Sequence, residues 1–247
     1  MLELKNISVH FKTLKAVDDV SLTINENEVL GLVGESGCGK TTLGKTAIRL
    51  IEPTAGQIIF DGVDITKMGF SELKKFRSKM QIIFQDPISS LNPRQTIYDV
   101  LEEPLKIHTK LDKNGRKAEI ERLIDLVGIA KNALTRYPHQ FSGGQCQRIA
   151  IGRALSVKPK LIIADEPVSA LDVSIQAQIL NLMLDLKKEF GLSYLFVSHD
   201  LAVINHISDR VAVMFKGKIV EEGECDEVVQ NPKNEYTKTL LDAVPKL

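Results

Sequence analysis

The octapeptide Gly34-Glu35-Ser36-Gly37-Cys38-Gly39-Lys40-Thr41 constrains this chain more than any other stretch. It fits the pattern G-x-x-x-x-G-K-[ST] and follows the apolar run VLGLV at 29–33. It leads into TLGKTAIRLI, where Leu43, Ala47, Leu50 and Ile51 fall at helical spacing before Pro53 ends the segment. Strand, glycine loop and helix in that order make a phosphate cradle. The glycines let successive backbone N–H groups turn inward onto phosphate oxygens, and the helix start adds partial positive charge. Lys40 would reach the outer phosphates, Thr41 would offer its hydroxyl to Mg2+, and Thr42 joins the binding set. From average residue frequencies, a chance match in a chain this long is on the order of 1%. Nucleotide binding is therefore expected. Cys38 sits near a helix N-terminus, where a thiolate is favoured, but the plainer reading is a small residue filling space.

The periodicity of the rest predicts an α/β fold. LELKNISVHF (2–11) alternates as a half-buried strand does, and SLTI (21–24), GQIIFDG (56–62) and QIIFQ (81–85) read as further strands. Residues 86–140 hold four prolines and no convincing strand, and AEIERLIDLVGI within them is amphipathic, with Ile120, Leu123, Ile124 and Val127 on one face. LIIAD (161–165) and YLFVS (194–198) then alternate with helical patterns such as IQAQILNLMLDLKKEF. Short, continuously apolar runs suit a parallel sheet buried on both faces. VAVMFKGKIVEEG reads as a hairpin turning at Lys216-Gly217. The expected architecture is a P-loop NTPase core: a mostly parallel sheet, an N-terminal antiparallel β subdomain and an inserted α-helical subdomain. One domain spans 1–247, with the nucleotide-binding core in 1–85 and 150–247 and the helical part in 86–149.

Composition excludes several alternatives. Lys plus Arg (32) balance Asp plus Glu (32), whereas broad nucleic-acid binding needs a basic excess. No apolar run approaches the roughly 20 residues that span a bilayer, and the N-terminus lacks a signal-peptide core. Cys38, Cys146 and Cys225 are odd in number and far apart, which argues against a disulfide framework or structural zinc. A cytoplasmic location is expected, with any membrane role exercised through a partner.

Polar residues end three of the predicted strands. Asp165 and Glu166 follow LIIA where an α/β sheet opens its ligand crevice, so Asp165 can hold Mg2+ and Glu166 can polarise an attacking water. Gln85 ends QIIFQ and can bridge metal and water, while His199 follows YLFVS and can contact a γ-phosphate. A second glycine device stands at Ser142-Gly143-Gly144-Gln145. Ser and Gln fit a capping box for the helix CQRIAIGRAL. The two glycines are not explained by capping, since they cost backbone entropy unless another backbone or an anion comes close.

In order, the phosphate loop, Gln85, FSGGQ, LIIADE, SALD and His199 resemble the ATP-binding-cassette (ABC) ATPases, over essentially the whole chain. The resemblance implies head-to-tail dimers in which Ser142, Gly143, Gly144 and Gln145 of one subunit face the γ-phosphate held by the other. It further implies that Ser169-Ala170-Leu171-Asp172 relays state between the two sites, that Phe11 stacks on adenine, and that Gln85, Glu166 and His199 complete hydrolysis of ATP with Mg2+. QDPISSLNPRQTI, EEPL, RYPHQFSGGQ, EPVSALDVSIQAQILNLM and EYTKTLLDAVP resemble peptide- and nickel-importing members. Such a resemblance implies two integral-membrane permease subunits, contacted through residues 86–104, a second identical or homologous ATPase subunit, and an external substrate-binding protein. It also implies a peripheral position on the cytoplasmic side of the cell membrane. Cys146 stands where relatives commonly carry a basic residue. Many peptide importers continue past this point into a Cys-containing extension with a metal centre. A chain ending at Leu247 argues against an iron–sulfur cluster and leans towards shorter members such as nickel importers, unless it is a truncation. The other class weighed, a soluble ABC-type ATPase acting on nucleic acid or the ribosome, would carry paired cassettes, a coiled coil or a basic tail. A GTPase would carry N-K-x-D. None of these is visible in the sequence.

Overall fold

The computed structural model describes residues 1–242. A four-stranded antiparallel sheet is built from β1 (Leu2–Phe11), β2 (Leu14–Ile24), β4 (Ala55–Phe60) and β5 (Val63–Asp64), in the order β2-β1-β4-β5. The second sheet has six strands: β3 (Val29–Val33), β6 (Met80–Ile83), β7 (Leu161–Asp165), β8 (Ser193–Ser198), β9 (Arg210–Phe215) and β10 (Lys218–Glu224). Its order is β10-β9-β3-β8-β7-β6, parallel throughout except for the edge strand β10.

Strand parity divides the interior into two cores. Leu30, Leu32, Leu161, Ile163, Leu195 and Val197 pack with the antiparallel sheet and with α1 (Lys40–Ala47). Their alternates Val29, Val33, Ile162, Ala164, Tyr194 and Phe196 pack with helices. These are α3 (Ile97–His108), α4 (Lys113–Leu126), α5 (Gly143–Leu155), α6 (Val173–Phe190) and α7 (Leu201–Ile207). The continuous apolar strands thus serve two faces, as a doubly covered parallel sheet requires. The chain between β6 and β7 is helices and turns, and Ile120, Leu123, Ile124 and Val127 are all buried there. Full burial of each such side chain is worth about 1.5–3 kcal/mol.

Some elements differ from the sequence-based expectation. The helix after the phosphate loop stops at Ala47, well before Pro53, and Leu50 is exposed. Arg49 adopts a left-handed backbone (φ 57°), and Arg77 donates to the carbonyls of Ile48 (2.9 Å) and Arg49 (2.9 Å). A side chain from α2 (Phe70–Arg77) therefore satisfies the helix end, which no local pattern announces. β2 starts at Leu14, not near Ser21. Register shifts in its pairing with β1, with Asn6 and Asp19 both at positive φ, break the period of two on which alternation depends. β6 ends at Ile83, so Gln85 lies just past the strand. The short helices α2, α7, α8 (Cys225–Gln230) and α9 (Glu235–Asp242) carry too few turns for their periodicity to register. The hairpin is as expected: Lys216 and Gly217 both have positive φ, the geometry of a tight primed turn. Of the stretch EYTKTLLDAVP, residues 243–245 lie outside the described residues.

Candidate functional site

β3 is flanked by β8 and β9, so the turn that leaves its C-terminal end emerges where a parallel sheet opens its crevice. That turn is the phosphate loop. Its glycines are required by neighbours as well as by curvature. Gly39 has φ 111°, and a Cβ there would sit 2.2 Å from the Ala16 carbonyl oxygen. A Cβ on Gly34 would sit 2.1 Å from the Met214 carbonyl oxygen. Gly217 N–H donates to Cys38 O at 2.9 Å, so β2 and the β9–β10 hairpin grip the loop from behind. Lys40 is buried, and its Nζ folds back to donate to Gly34 O (2.7 Å) and Glu35 O (2.9 Å). This holds a cation at the loop centre.

The cleft above the loop encloses about 720 Å³. Glu35, Ser36, Gly37, Thr41 and Thr42 line it, as do Gln85, Glu166 and His199 from three other strand ends. Thr41 Oγ1 donates to Asp165 Oδ1 at 2.8 Å. Burial pushes the Asp165 carboxyl above the usual carboxylate range, against the pull of the Thr41 hydrogen bond and of Lys45 and Lys40. Glu166 has φ 48°, an uncommon conformation for a non-glycine residue that is held by its N–H donating to Val197 O (3.0 Å). Gln85 Nε2 donates to Glu166 Oε2 (3.1 Å), and His199 Nδ1 meets the same oxygen at 3.0 Å. Ser169 Oγ lies 3.4 Å from Gln85 Nε2 and donates to Glu166 O at 3.1 Å.

The outer wall of the cleft is apolar. Phe11 is 47% exposed and Leu14 63% exposed, so the strand position of Phe11 is not a core position. A planar base can lie against such side chains. Leu14, Ala16 and Leu240 also line the cleft and were missed, because single apolar residues at strand and helix ends carry no periodic signal. Cys38 is 8% exposed, and desolvation pushes its thiol up despite the neighbouring Lys40. That is the environment of a space-filling residue.

Ser142, Gly143, Gly144 and Gln145 are not part of this cleft. They begin α5 with Ser142 as N-cap: its side chain accepts from Gln145 N (3.4 Å), and Gln145 Oε1 accepts from Ser142 N (3.1 Å). One of the two glycines has a reason within the chain. A Cβ on Gly144 would stand 2.5 Å from Ile175 Cγ2 on α6, so glycine here leaves room for Ile175 to pack against α5. Gly143 abuts Leu171 of the SALD turn, whose Asp172 is the exposed N-cap of α6.

The residues present suit Mg2+ as well as a nucleotide. No cluster of three or more His, Cys, Asp or Glu that could cage a metal exists among the described residues. One hydroxyl and one carboxylate beside a phosphate cradle is the donor set Mg2+ uses when phosphates and waters supply the rest.

Comparison with known proteins agrees with this geometry. The family model described as ABC transporter matches residues 17–169. The oligopeptide transport ATP-binding protein OppF of Bacillus subtilis (strain 168) is 52% identical over 251 residues, covering 99% of this chain and 82% of that protein. OppF of Streptococcus mutans is 54% identical over 253 residues, covering 100% and 82%. Among solved structures, the dimeric post-hydrolysis state of the ATP-binding cassette MJ0796 bound to ADP and Pi superposes with a TM-score of 0.84 at 30% identity, covering 91% of this chain and 99% of the other. CbiO1 from Clostridium perfringens, part of the transporter complex cbiONQ, also gives 0.84, at 27% identity, covering 93% and 90%. Sequence, cleft and relatives converge: this chain belongs to the ABC transporter family, as one of its ATP-binding, ATP-hydrolysing cassettes.

Proposed function

We propose that the chain powers an importer of oligopeptides by binding and hydrolysing MgATP at the cleft above Lys40, paired head to tail with a second cassette that is another copy or a related chain. The observation that carries the catalytic reading is the convergence of Gln85 and His199 on a single oxygen of Glu166 at the mouth of the phosphate loop. Among the described residues no hydrogen bond engages Glu166 Oε1, which leaves that oxygen to accept a proton from an attacking water. The left-handed backbone of Glu166 turns its side chain into the cleft.

The other residues bind and orient. The loop amides and Lys40 would hold the β- and γ-phosphates, Thr41, Asp165 and Gln85 would be the protein ligands for Mg2+, and Phe11 would support the base. When bound, Mg2+ neutralises charge building up on the phosphates. Ser142, Gly143, Gly144 and Gln145, outside the cleft of their own chain, are assigned to the γ-phosphate held by the partner cassette. The Asp172 turn abuts that signature and conveys its state to the neighbouring site.

The peptide names of the relatives described above support peptides over nickel as cargo, and nothing in them favours the nucleic-acid reading. No helix among the described residues is long and apolar enough to cross a membrane. We assign residues 86–104 to contact with two permease subunits, which puts the chain peripherally on the cytoplasmic face of the membrane. An external binding protein delivers the cargo.

Replacing Glu166 by Gln tests the assignment. The variant should bind MgATP, accumulate as a closed dimer, and lose turnover by about 10²–10⁴-fold, the usual worth of a general base. Near-normal hydrolysis would refute the role of Glu166. Ser142→Ala should retain ATP binding and lose hydrolysis, whereas Lys40→Ala should lose binding.

A further inference from the structure

The C-terminal helix α9 makes contacts that neither the phosphate chemistry nor the dimer requires. The backbone N–H of Glu35, the second residue of the phosphate loop, donates to the hydroxyl of Tyr236 on α9 at 3.0 Å. The tyrosine is itself held from two sides. Its ring packs on Phe215 at the end of β9, with centroids 4.1 Å apart and planes tilted by 35°. Its N–H donates to Asn234 Oδ1 (2.9 Å), and Asn234 is tied to β10 through its own N–H to Glu221 Oε2 (3.1 Å) and its side chain to Val220 O (3.4 Å). Lys233 N–H donates to the other Glu221 oxygen at 2.7 Å. One turn after Tyr236 on the same helix face, Leu240 lines the cleft.

The chemistry of the loop makes this contact consequential. A phosphate loop works by presenting a run of backbone N–H groups in one fixed curvature. Glu35 and Ser36 are exposed, and a Cβ on Gly37 would meet nothing within 4 Å, so this rim of the loop has little packing of its own. β3 ends at Val33, the Glu35 carbonyl accepts from Lys40 Nζ (2.9 Å) and Cys38 N–H (3.3 Å) within the loop itself, and the β9–β10 hairpin meets the loop at Cys38 O. On the Glu35 N–H, the Tyr236 hydroxyl adds a contact from outside the loop, 201 residues away in sequence.

We infer that Tyr236 is a positioning residue for nucleotide binding, and that α9 sets the shape of the loop rim through the Tyr236–Glu35 hydrogen bond. The inference rests on the phosphate loop being the nucleotide site proposed above. Tyr236→Phe removes only the hydroxyl and keeps the ring on Phe215. Full-length wild type, Tyr236→Phe and Lys40→Ala should be compared for MgATP dissociation constant, melting temperature and site-resolved amide exchange in the nucleotide-free state. Tyr236→Phe should weaken MgATP about two- to tenfold, the worth of one hydrogen bond, with an unchanged melting temperature and faster exchange confined to residues 34–38. Wild-type affinity in Tyr236→Phe, while Lys40→Ala loses binding, would overturn the positioning role and leave the nucleotide site intact. Faster exchange spread through β9, β10 and α9 would also overturn it, by making Tyr236 a general anchor. Unchanged binding in Lys40→Ala would instead refute the site itself.

Discussion

Two adjacent carboxylates at the end of β7 live in different surroundings. Asp165 is buried and bonded to Thr41, while Glu166, at positive φ, lines the cleft and meets Gln85 and His199. The burial of Asp165 has a consequence for stability. Its folded-state pKa is raised, so above the ordinary carboxylate range its ionisation works against folding, and this handicap disappears once the pH falls below about 3.9, where both states are protonated. In the nucleotide-free chain, Asp165→Asn should therefore raise the melting temperature at pH 7 and bring no gain near pH 3, while weakening Mg2+-dependent nucleotide binding. Thermal melts at the two pH values check the sign. Cys38 offers a second test at this scale. Burial raises its thiol, so maleimide should label it slowly in native protein at pH 7 and rapidly after unfolding, as read by mass spectrometry.

Among the elements, α5 shows how one short motif serves two masters. Ser142 and Gln145 close a capping box that any helix could use, and Gly144 admits Ile175 of the neighbouring helix. Gly144→Ala should destabilise the chain by about 1–3 kcal/mol through overpacking, and adding Ile175→Ala should recover part of that loss in a double-mutant cycle followed by urea unfolding. Ser142→Ala should cost about 1 kcal/mol as a lost cap and gain nothing from Ile175→Ala, so the double-mutant cycle separates the two positions. The capping box was legible because its signal spans four consecutive residues, and the phosphate loop was legible for the same reason. The end of α1 was not: Arg77 closes it from 28 and 29 residues away. Nor was the first half of β2, where register shifts against β1, with Asn6 of β1 and Asp19 of β2 at positive φ, erase alternation. Local chemistry writes itself into local sequence. Satisfaction supplied from a distance does not.

For the whole molecule, the equal count of acidic and basic residues carries a functional consequence. Without a basic excess there is no general attraction for polyphosphate. ATP turnover should be unchanged by added RNA or DNA and should rise on reconstitution with permease subunits, as measured by phosphate release in low salt. The parallel sheet, with its doubly apolar strands, was readable as a class from the sequence, whereas the grouping of Gln85, Glu166 and His199 around one oxygen needed the strand order β3-β8-β7-β6 to bring it about. Each of these side chains is ordinary alone. Adjacency of strands made them a site.

The grip on the phosphate loop from behind also has a temporal meaning. Gly34 to Thr41 are translated early, yet beside Ala16 O of β2 two of the backbone groups packed behind them, Met214 O and Gly217 N–H, are translated more than 170 residues later. During synthesis at about 5–20 residues per second, the loop spends many seconds without its mould. A nascent chain stopped before β9 should therefore not retain nucleotide. On this reading a growing copy would gain the capacity to hold nucleotide once the β9–β10 hairpin has left the ribosome, and would consume no ATP before then.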